Sequence, residues 1–276
     1  NSFNSSGFTI GDSSLVNSDG TSYVAWCWKA GGAAVSNTVG SINSTVSANQ
    51  DAGFSIVSYT GNQTNNATVG HGLGKVPDLI VVKNRNSAVD WAVWHSSLPS
   101  GQVLRLSNQT EGQTPTTAYF QDENNTSSVF ALGTNDETND DDGDTYIAYC
   151  WNDVPGLQKF GMYTGDGTTD GPYINCGFRP ALLWVKNTSS GSTDWVILDT
   201  ITGSDINPMF RRFAANQNSA QGSDNTTSAQ FDFFNNGFKS VGGDGTFVNT
   251  SGDNYIYCAW AETPTNNLYG AQANAK

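Results

Sequence analysis

One aromatic hexapeptide is written three times along the chain. Tyr23-Val24-Ala25-Trp26-Cys27-Trp28 returns as Tyr146-Ile147-Ala148-Tyr149-Cys150-Trp151, and again as Tyr255-Ile256-Tyr257-Cys258-Ala259-Trp260. Each copy follows a polar turn: Asp19-Gly20, Gly143-Asp144 and Gly252-Asp253. A run this rich in Tyr, Trp and β-branched residues reads as a core strand, because such side chains pack on a pleated, buried surface. Its recurrence marks a modular scaffold. Catalysis needs one unique constellation, whereas repetition duplicates structure.

Further elements repeat between the aromatic runs. Tyr59-Thr60-Gly61-Asn62 matches Tyr163-Thr164-Gly165-Asp166, and Pro77-Asp78-Leu79-Ile80-Val81-Val82-Lys83-Asn84 matches Pro180-Ala181-Leu182-Leu183-Trp184-Val185-Lys186-Asn187. Asp90-Trp91-Ala92-Val93 matches Asp194-Trp195-Val196-Ile197. All three pairs lie about a hundred residues apart, an ordinary domain size. The expected organisation is a first β module over 51–155, a second over 156–264, and a C-terminal tail over 265–276. Residues 1–50 match only the end of a module. They read as a partial module or as strands that complete the first one, in a chain that is a fragment or a processed product.

The fold class expected is all-β, with tandem β-sandwich modules of jelly-roll-like type. Short apolar or alternating runs are bounded by Gly, Asn, Asp and Pro, and helical periodicity is nearly absent. Leu79-Ile80-Val81-Val82 and Leu182-Leu183-Trp184-Val185 predict strands buried on both faces, each with a hairpin partner beginning near Trp91 and Trp195. Val103 to Leu106 alternates like a half-exposed strand. One helical turn is expected from Asn207 to Ala215, opened by Pro208.

Composition excludes several functions. The 276 residues carry 12 basic and 25 acidic side chains, a net charge of −13. Nucleic acid and anionic membrane surfaces both demand a basic face. Only 13% of residues are charged. The surface is therefore solvated largely by uncharged Asn, Ser and Thr, which suits an extracellular or virion surface. No apolar run reaches the length of a membrane-spanning helix. The four cysteines read as buried free thiols, with Cys258 turned to the opposite sheet face from Cys150 because it is shifted by one residue.

Candidate chemistry is sparse. The acidic loop from Asn135 to Asp144 offers the oxygen ligands calcium prefers, with Asp140, Asp142 and Asp144 as metal candidates, although the spacing departs from the EF-hand. Gly70-His71-Gly72-Leu73-Gly74 lacks the Lys-Ser/Thr ending of a phosphate loop and reads as a turn. His71 and His95 have no repeat counterpart and read as structural, with His95 in an exposed loop. Glutamates are scarce and none lies in an apolar strand where burial would raise its pKa for acid catalysis. No catalytic signature emerges and no cofactor is expected, calcium aside. The aromatic residues raise a carbohydrate-binding alternative. Trp26, Trp91, Trp151, Trp184, Trp195 and Trp260 recur at strand positions and read as core. Trp28 and Trp94 have less regular partners and are candidates for exposed receptor contacts. The unrepeated polar loops 107–127 and 203–229 supply others, Gln109 and Asn124 among them.

The runs Val69-Gly70-His71-Gly72-Leu73-Gly74, Pro77 to Asn84, Gly143 to Trp151 and Gly177-Phe178-Arg179-Pro180-Ala181 resemble a module of phage virion proteins. It is similar to modules of tail-fibre-like proteins from marine phages, especially phages of cyanobacteria. The resemblance covers nearly the whole chain, including the tail from Leu268 to Lys276, and implies a virion-surface protein without catalytic residues. A tail fibre or adhesin that presents polar loops to a host glycan or receptor is the expectation. A capsid decoration protein and a polysaccharide depolymerase are its rivals. Expected partners are other virion proteins and further copies of the chain, as a homotrimer whose closed symmetry covers edge strands.

Overall fold

The computed structural model describes residues 2–4, 7–106, 114–115, 118–140, 143–190, 193–202, 207–217, 219–222, 229–243 and 247–262. The protein is all-β with several antiparallel sheets. No helix among these residues is long and apolar enough to cross a membrane.

The chain opens with an isolated hairpin of β1 (Ser2–Asn4) and β2 (Gly7–Thr9). There follow β3 (Val35–Asn37), β4 (Ser44–Asn49), β5 (Phe54–Thr60), β6 (Ala67–Gly70), β7 (Leu79–Asn84) and β8 (Ala92–His95). Next come β9 (Gln102–Arg105), β10 (Thr114–Pro115), β11 (Val129–Leu132) and β12 (Thr145–Trp151). An eight-stranded sheet runs β10-β9-β8-β7-β12-β5-β4-β3, and β11 pairs with β6 in a second sheet. The later strands are β13 (Gln158–Thr164), β14 (Tyr173–Asn175), β15 (Pro180–Asn187), β16 (Val196–Asp199) and β17 (Phe213–Ala214). They end with β18 (Phe231–Phe234), β19 (Gly237–Ser240) and β20 (Asn254–Ala261). A five-stranded sheet runs β13-β20-β15-β16-β17, and a three-stranded one β14-β19-β18.

Two copies of the aromatic run are central strands. β12 lies between β5 and β7, and β20 between β13 and β15. Alternation sends their side chains to different cores. From β12, Tyr146, Ala148 and Cys150 enter the core of the first sandwich, while Trp151 enters a cluster shared with the second. From β20, Tyr255, Tyr257 and Ala259 enter the second core, while Ile256, Cys258 and Trp260 enter the shared cluster. Cys150 and Cys258 thus sit on opposite faces, as the one-residue shift requires. Leu79-Ile80-Val81-Val82 is buried throughout because Ile80 and Val82 face one core while Leu79 and Val81 face the other.

Some expectations of strand and burial need correction. Residues 23–28 form no strand, and Cys27 is exposed. Every strand of the β5/β7 or β13/β15 kind already has β12 or β20 as its neighbour, so the first copy finds no sheet to join. Asn207 to Ala215 contains no helix in its described residues. Met209 instead exchanges backbone hydrogen bonds with Phe231, and Phe213–Ala214 is β17. Val103 and Leu104 are both buried, so β9 is not half-exposed.

Candidate functional site

The tryptophans that end the three aromatic runs meet. Ring centroids of Trp28 and Trp151 are 5.9 Å apart, those of Trp28 and Trp260 are 5.3 Å apart, and those of Trp151 and Trp260 are 6.3 Å apart. All three contacts are edge-on, the geometry preferred by aromatic quadrupoles. This triangle sits within the apolar interface between the two large sheets, with Leu79, Val81, Leu182 and Ile256 around it. Beside it lies an apolar groove of about 340 Å³, walled by Trp26, Trp28, Ile56, Trp91, Tyr149 and Trp184. The indole N–H groups of Trp151, Trp184 and Trp260 are buried without an acceptor.

Polar side chains pin the modules around this interface. His95 lies in β8 and is fully buried. Its Nδ1 accepts from the Ser97 N–H (3.1 Å), so Nε2 carries the proton and donates to the Tyr257 carbonyl of the second module (3.2 Å). Burial pushes its pKa down to about 4. At the corresponding place in β16, Asp199 accepts from the Ile201 and Thr202 N–H groups (2.9 and 2.6 Å). Its other oxygen accepts from Trp26 Nε1 at 3.2 Å. Trp195 Nε1 donates to the Arg105 carbonyl (2.9 Å), a further link between modules.

The acidic loop is a structural corner. Tyr146 Oη accepts from the Asp140 N–H (2.9 Å) and donates to the Asp136 carbonyl (3.0 Å). Asn84 Nδ2 donates to Tyr146 Oη (3.2 Å) and to the Asp144 carboxylate (2.8 Å), which also accepts from Ser87 Oγ (3.0 Å). The second module repeats this: Tyr255 Oη accepts from the Thr250 N–H (2.8 Å), and Asn187 Nδ2 donates to Tyr255 Oη (3.2 Å) and to Asp253 (2.7 Å). Tyr59 stacks on Tyr146 at 5.1 Å and Tyr163 on Tyr255 at 5.0 Å. The glycine of Tyr-Thr-Gly follows from the same corner. A Cβ on Gly61 would meet the Asp140 carbonyl oxygen at 2.3 Å, and one on Gly165 the Thr250 carbonyl oxygen at 2.3 Å. Lys83 and Lys186 of the Val-Lys-Asn runs hold their hairpin loops, donating to the Val89 (2.6 Å) and Thr193 carbonyls. Burial pushes Lys186 down to about 8, and Asp194 opposes that shift.

The family model for a domain of unknown function, DUF7483, matches residues 1–264. The chain belongs to the DUF7483 family. No curated protein and no solved structure matches it. The family match covers both modules and the first aromatic run together, so this DUF7483 chain carries all three copies within one matched unit.

Several candidate residues of this DUF7483 chain lie elsewhere than the sequence indicates. Trp94 is only 6% exposed and packs in the first core, because β8 has both faces covered. It is therefore no surface contact. Trp28 is half-buried in the triangle, which removes most of its ring from solvent. Trp26, Trp91 and Trp184 are half-buried around the groove, not fully core. His95 is not in an exposed loop. Asn124 is exposed in a short 3-10 turn, Asp122–Asn124. Gln109 and Asp142 fall outside the described residues, as does much of loops 107–127 and 203–229. Of the calcium candidates, Asp144 is held by Asn84 and Ser87, and Asp140 serves through its backbone. Among the described residues no three His, Cys, Asp or Glu side chains are grouped to hold a metal ion.

Sequence reading missed Glu137. It is buried, accepts from Arg105 Nε at 2.9 Å, and has its pKa raised by burial against the opposing pull of Arg105. Arg105 also bonds Tyr119 Oη and lies 3.9 Å from Asp90. In the second module Arg212 lies 3.8 Å from Asp194 and over the Phe247 ring. Nothing local in the sequence around Glu137 announces this partner thirty-odd residues away.

Proposed function

We propose that this chain is a non-catalytic structural protein of a phage virion surface, a tail fibre or adhesin that presents polar loops to a host glycan or receptor. The resemblance of its long repeated motifs to virion modules supplies the class. The observation that carries the scaffold reading is the tryptophan triangle. Three copies of one sequence element converge to build a single interface, so repetition here serves architecture. Among the described residues both histidines are buried and bonded to backbone and Glu137 is paired with Arg105, which suits a scaffold role for these three side chains. Asn124, exposed in the 3-10 turn Asp122–Asn124, is a candidate receptor contact.

Reconstruction of a particle with the chain's density assigned tests the location. Density on a tail appendage, three copies meeting, and binding of the purified chain to host surface material are expected. Density on the head sinks the fibre reading in favour of capsid decoration. Release of reducing ends from host polysaccharide sinks the non-catalytic one.

A further inference from the structure

Residues 7–28 are half of a module, already folded locally. In each whole module the closing half is a short strand, a polar turn and the aromatic strand: β11 then β12, and β19 then β20. The turn carries one asparagine that binds its own loop and the opening half together. Asn139 Nδ2 donates to the Gly133 carbonyl (2.8 Å) within the loop and to the Thr64 carbonyl (3.1 Å), while its Oδ1 accepts from the Asn62 N–H (2.8 Å). Asn249 does the same with Gly242 (2.8 Å), Thr168 (2.7 Å) and the Asp166 N–H (3.1 Å).

The first copy reproduces the local part of this design. Asn17 Nδ2 donates to the Gly11 carbonyl at 2.8 Å. Tyr23 Oη accepts from the Ser18 N–H (2.9 Å) and donates to the Ser14 carbonyl (3.0 Å), the same corner that Tyr146 makes. What it lacks is everything the opening half provides. Among the described residues Tyr23 has no stacked tyrosine and no Asn84-like donor, and residues 23–28 have no strand on either side. Tyr23 and Cys27, at the places of buried Tyr146 and Cys150, are exposed.

Two inter-module contacts made by the ends of equivalent strands point the same way. The end of β8 reaches the second aromatic strand through His95 and Tyr257. The end of β16 reaches the first aromatic run through Asp199 and Trp26. A third link of the same kind would reach β12 beside Tyr149, where the groove lies open and where Trp91, the counterpart of Trp195, has no indole acceptor among the described residues. The groove is thus continuous with an interface that is already built on its other two sides.

We infer that residues 7–28, with the groove beside Trp26 and Trp28, dock the opening half of a third module. The occupant is a sheet whose two strands end in Tyr-Thr-Gly-Asn and Val-Lys-Asn and flank Tyr23–Trp28 on both sides. It comes from polypeptide other than the described residues, because among these β12 and β20 fill both slots of this kind. This inference stands apart from the virion reading, since it rests on the repeat geometry alone.

Cys27 is a built-in reporter, since the other three cysteines are buried. The test fuses a second copy of residues 51–95, which contain no cysteine, ahead of Asn1 through a flexible Gly/Ser linker. Docking is expected to slow alkylation of Cys27 at least ~10-fold and hydrogen exchange of the 23–28 amides ~100-fold, as for a strand that gains two partners. A fusion with the same residues in scrambled order is expected to give no protection. A folded fusion whose Cys27 reacts as fast as in the unfused chain overturns the inference. Should the added segment disturb the fold, the same segment is supplied as a separate peptide: saturable protection of Cys27 supports docking, and none at submillimolar peptide overturns it. Cys27 of the unfused chain is also alkylated at rising protein concentration. Reactivity that stays constant supports the inference, and protection that grows with concentration means a second copy occupies the site and overturns it.

Discussion

The fourth residue of β8 in the first module is His95, and the same place in β16 of the second is Asp199. Both accept a backbone N–H two residues ahead, and both reach an aromatic run other than the one in their own sheet, yet one is a neutral ring and the other a carboxylate. A similar exchange occurs at the acidic corner, where buried Glu137 in one module corresponds to Phe247 in the other, each against an arginine. The difference shows what the repeat preserves. It keeps the packing position, and it lets the side-chain chemistry placed there vary.

The comparison is sharpest at the triangle. Trp151 and Trp260 occupy equivalent, nearly dry positions, so Trp151→Ala and Trp260→Ala are each expected to destabilise by about 3–5 kcal/mol, the usual cost of emptying a core aromatic site. Trp28→Ala, in a ring less buried than Trp151 and Trp260, is expected to cost about 1–2 kcal/mol by the smaller apolar area it removes from water. Urea midpoints of the three variants measure this. Equal losses at all three would mean that the first run is as fully packed as β12 and β20.

His95 makes the interface sensitive to acid. His95 has its folded pKa lowered from 6.5 to about 4 by burial. A base with a lowered pKa leaves the unfolded state holding more protons between the two values. Stability is therefore full above pH 6.5 and falls as the pH drops toward about 4, by about 3 kcal/mol in total. His71, also lowered by burial, acts in the same direction. Urea midpoints at pH 7 and pH 4.5 are expected to converge by most of that amount in His95→Gln relative to the parent chain. An unchanged pH dependence in the variant would assign the effect to other groups.

The corner tyrosines test the part of the design that both modules share. Tyr146→Phe and Tyr255→Phe each remove a hydroxyl that satisfies backbone and asparagine donors, which is expected to cost about 1–2 kcal/mol. Burial pushes Tyr146 up to about 12, so the hydroxyl stays protonated and able to donate across the ordinary pH range. A loss at Tyr255 matching that at Tyr146 is the expected result. A loss in only one module would break the equivalence of the two corners.

How much of this was legible in the sequence depends on the range over which each residue acts. The strand pairs Leu79–Val82 with β8 and Leu182–Val185 with β16 could be read directly, because apolar runs and turns are local signals. The purpose of Lys83 and Asn84 could not. Their repetition was visible, but Asn84 acts on Tyr146, which is brought beside it only by the pairing of β7 with β12. Trp94 and Trp28 were misplaced for a related reason: the sequence marked which tryptophans broke the repeat, not which faces were covered. The first aromatic run shows the limit most plainly. Its hexapeptide has the same propensity as β12, and it is no strand, because strand formation depends on neighbours that propensity does not supply.

That run gives the smallest expected effect. Tyr23→Phe removes a hydroxyl bonded, among the described residues, only to its own exposed loop, through the Ser18 N–H and the Ser14 carbonyl. Water replaces both bonds at little cost in an exposed site, so the expected loss is below about 0.5 kcal/mol. The value is informative because Tyr146→Phe removes the same hydroxyl from the same corner with its sheet in place. In a fusion that docks an opening half onto residues 23–28, the cost of Tyr23→Phe should rise to that of Tyr146→Phe. A Tyr23→Phe loss that equals the Tyr146→Phe loss without any fusion would mean that the first corner is already as fully supported as the others.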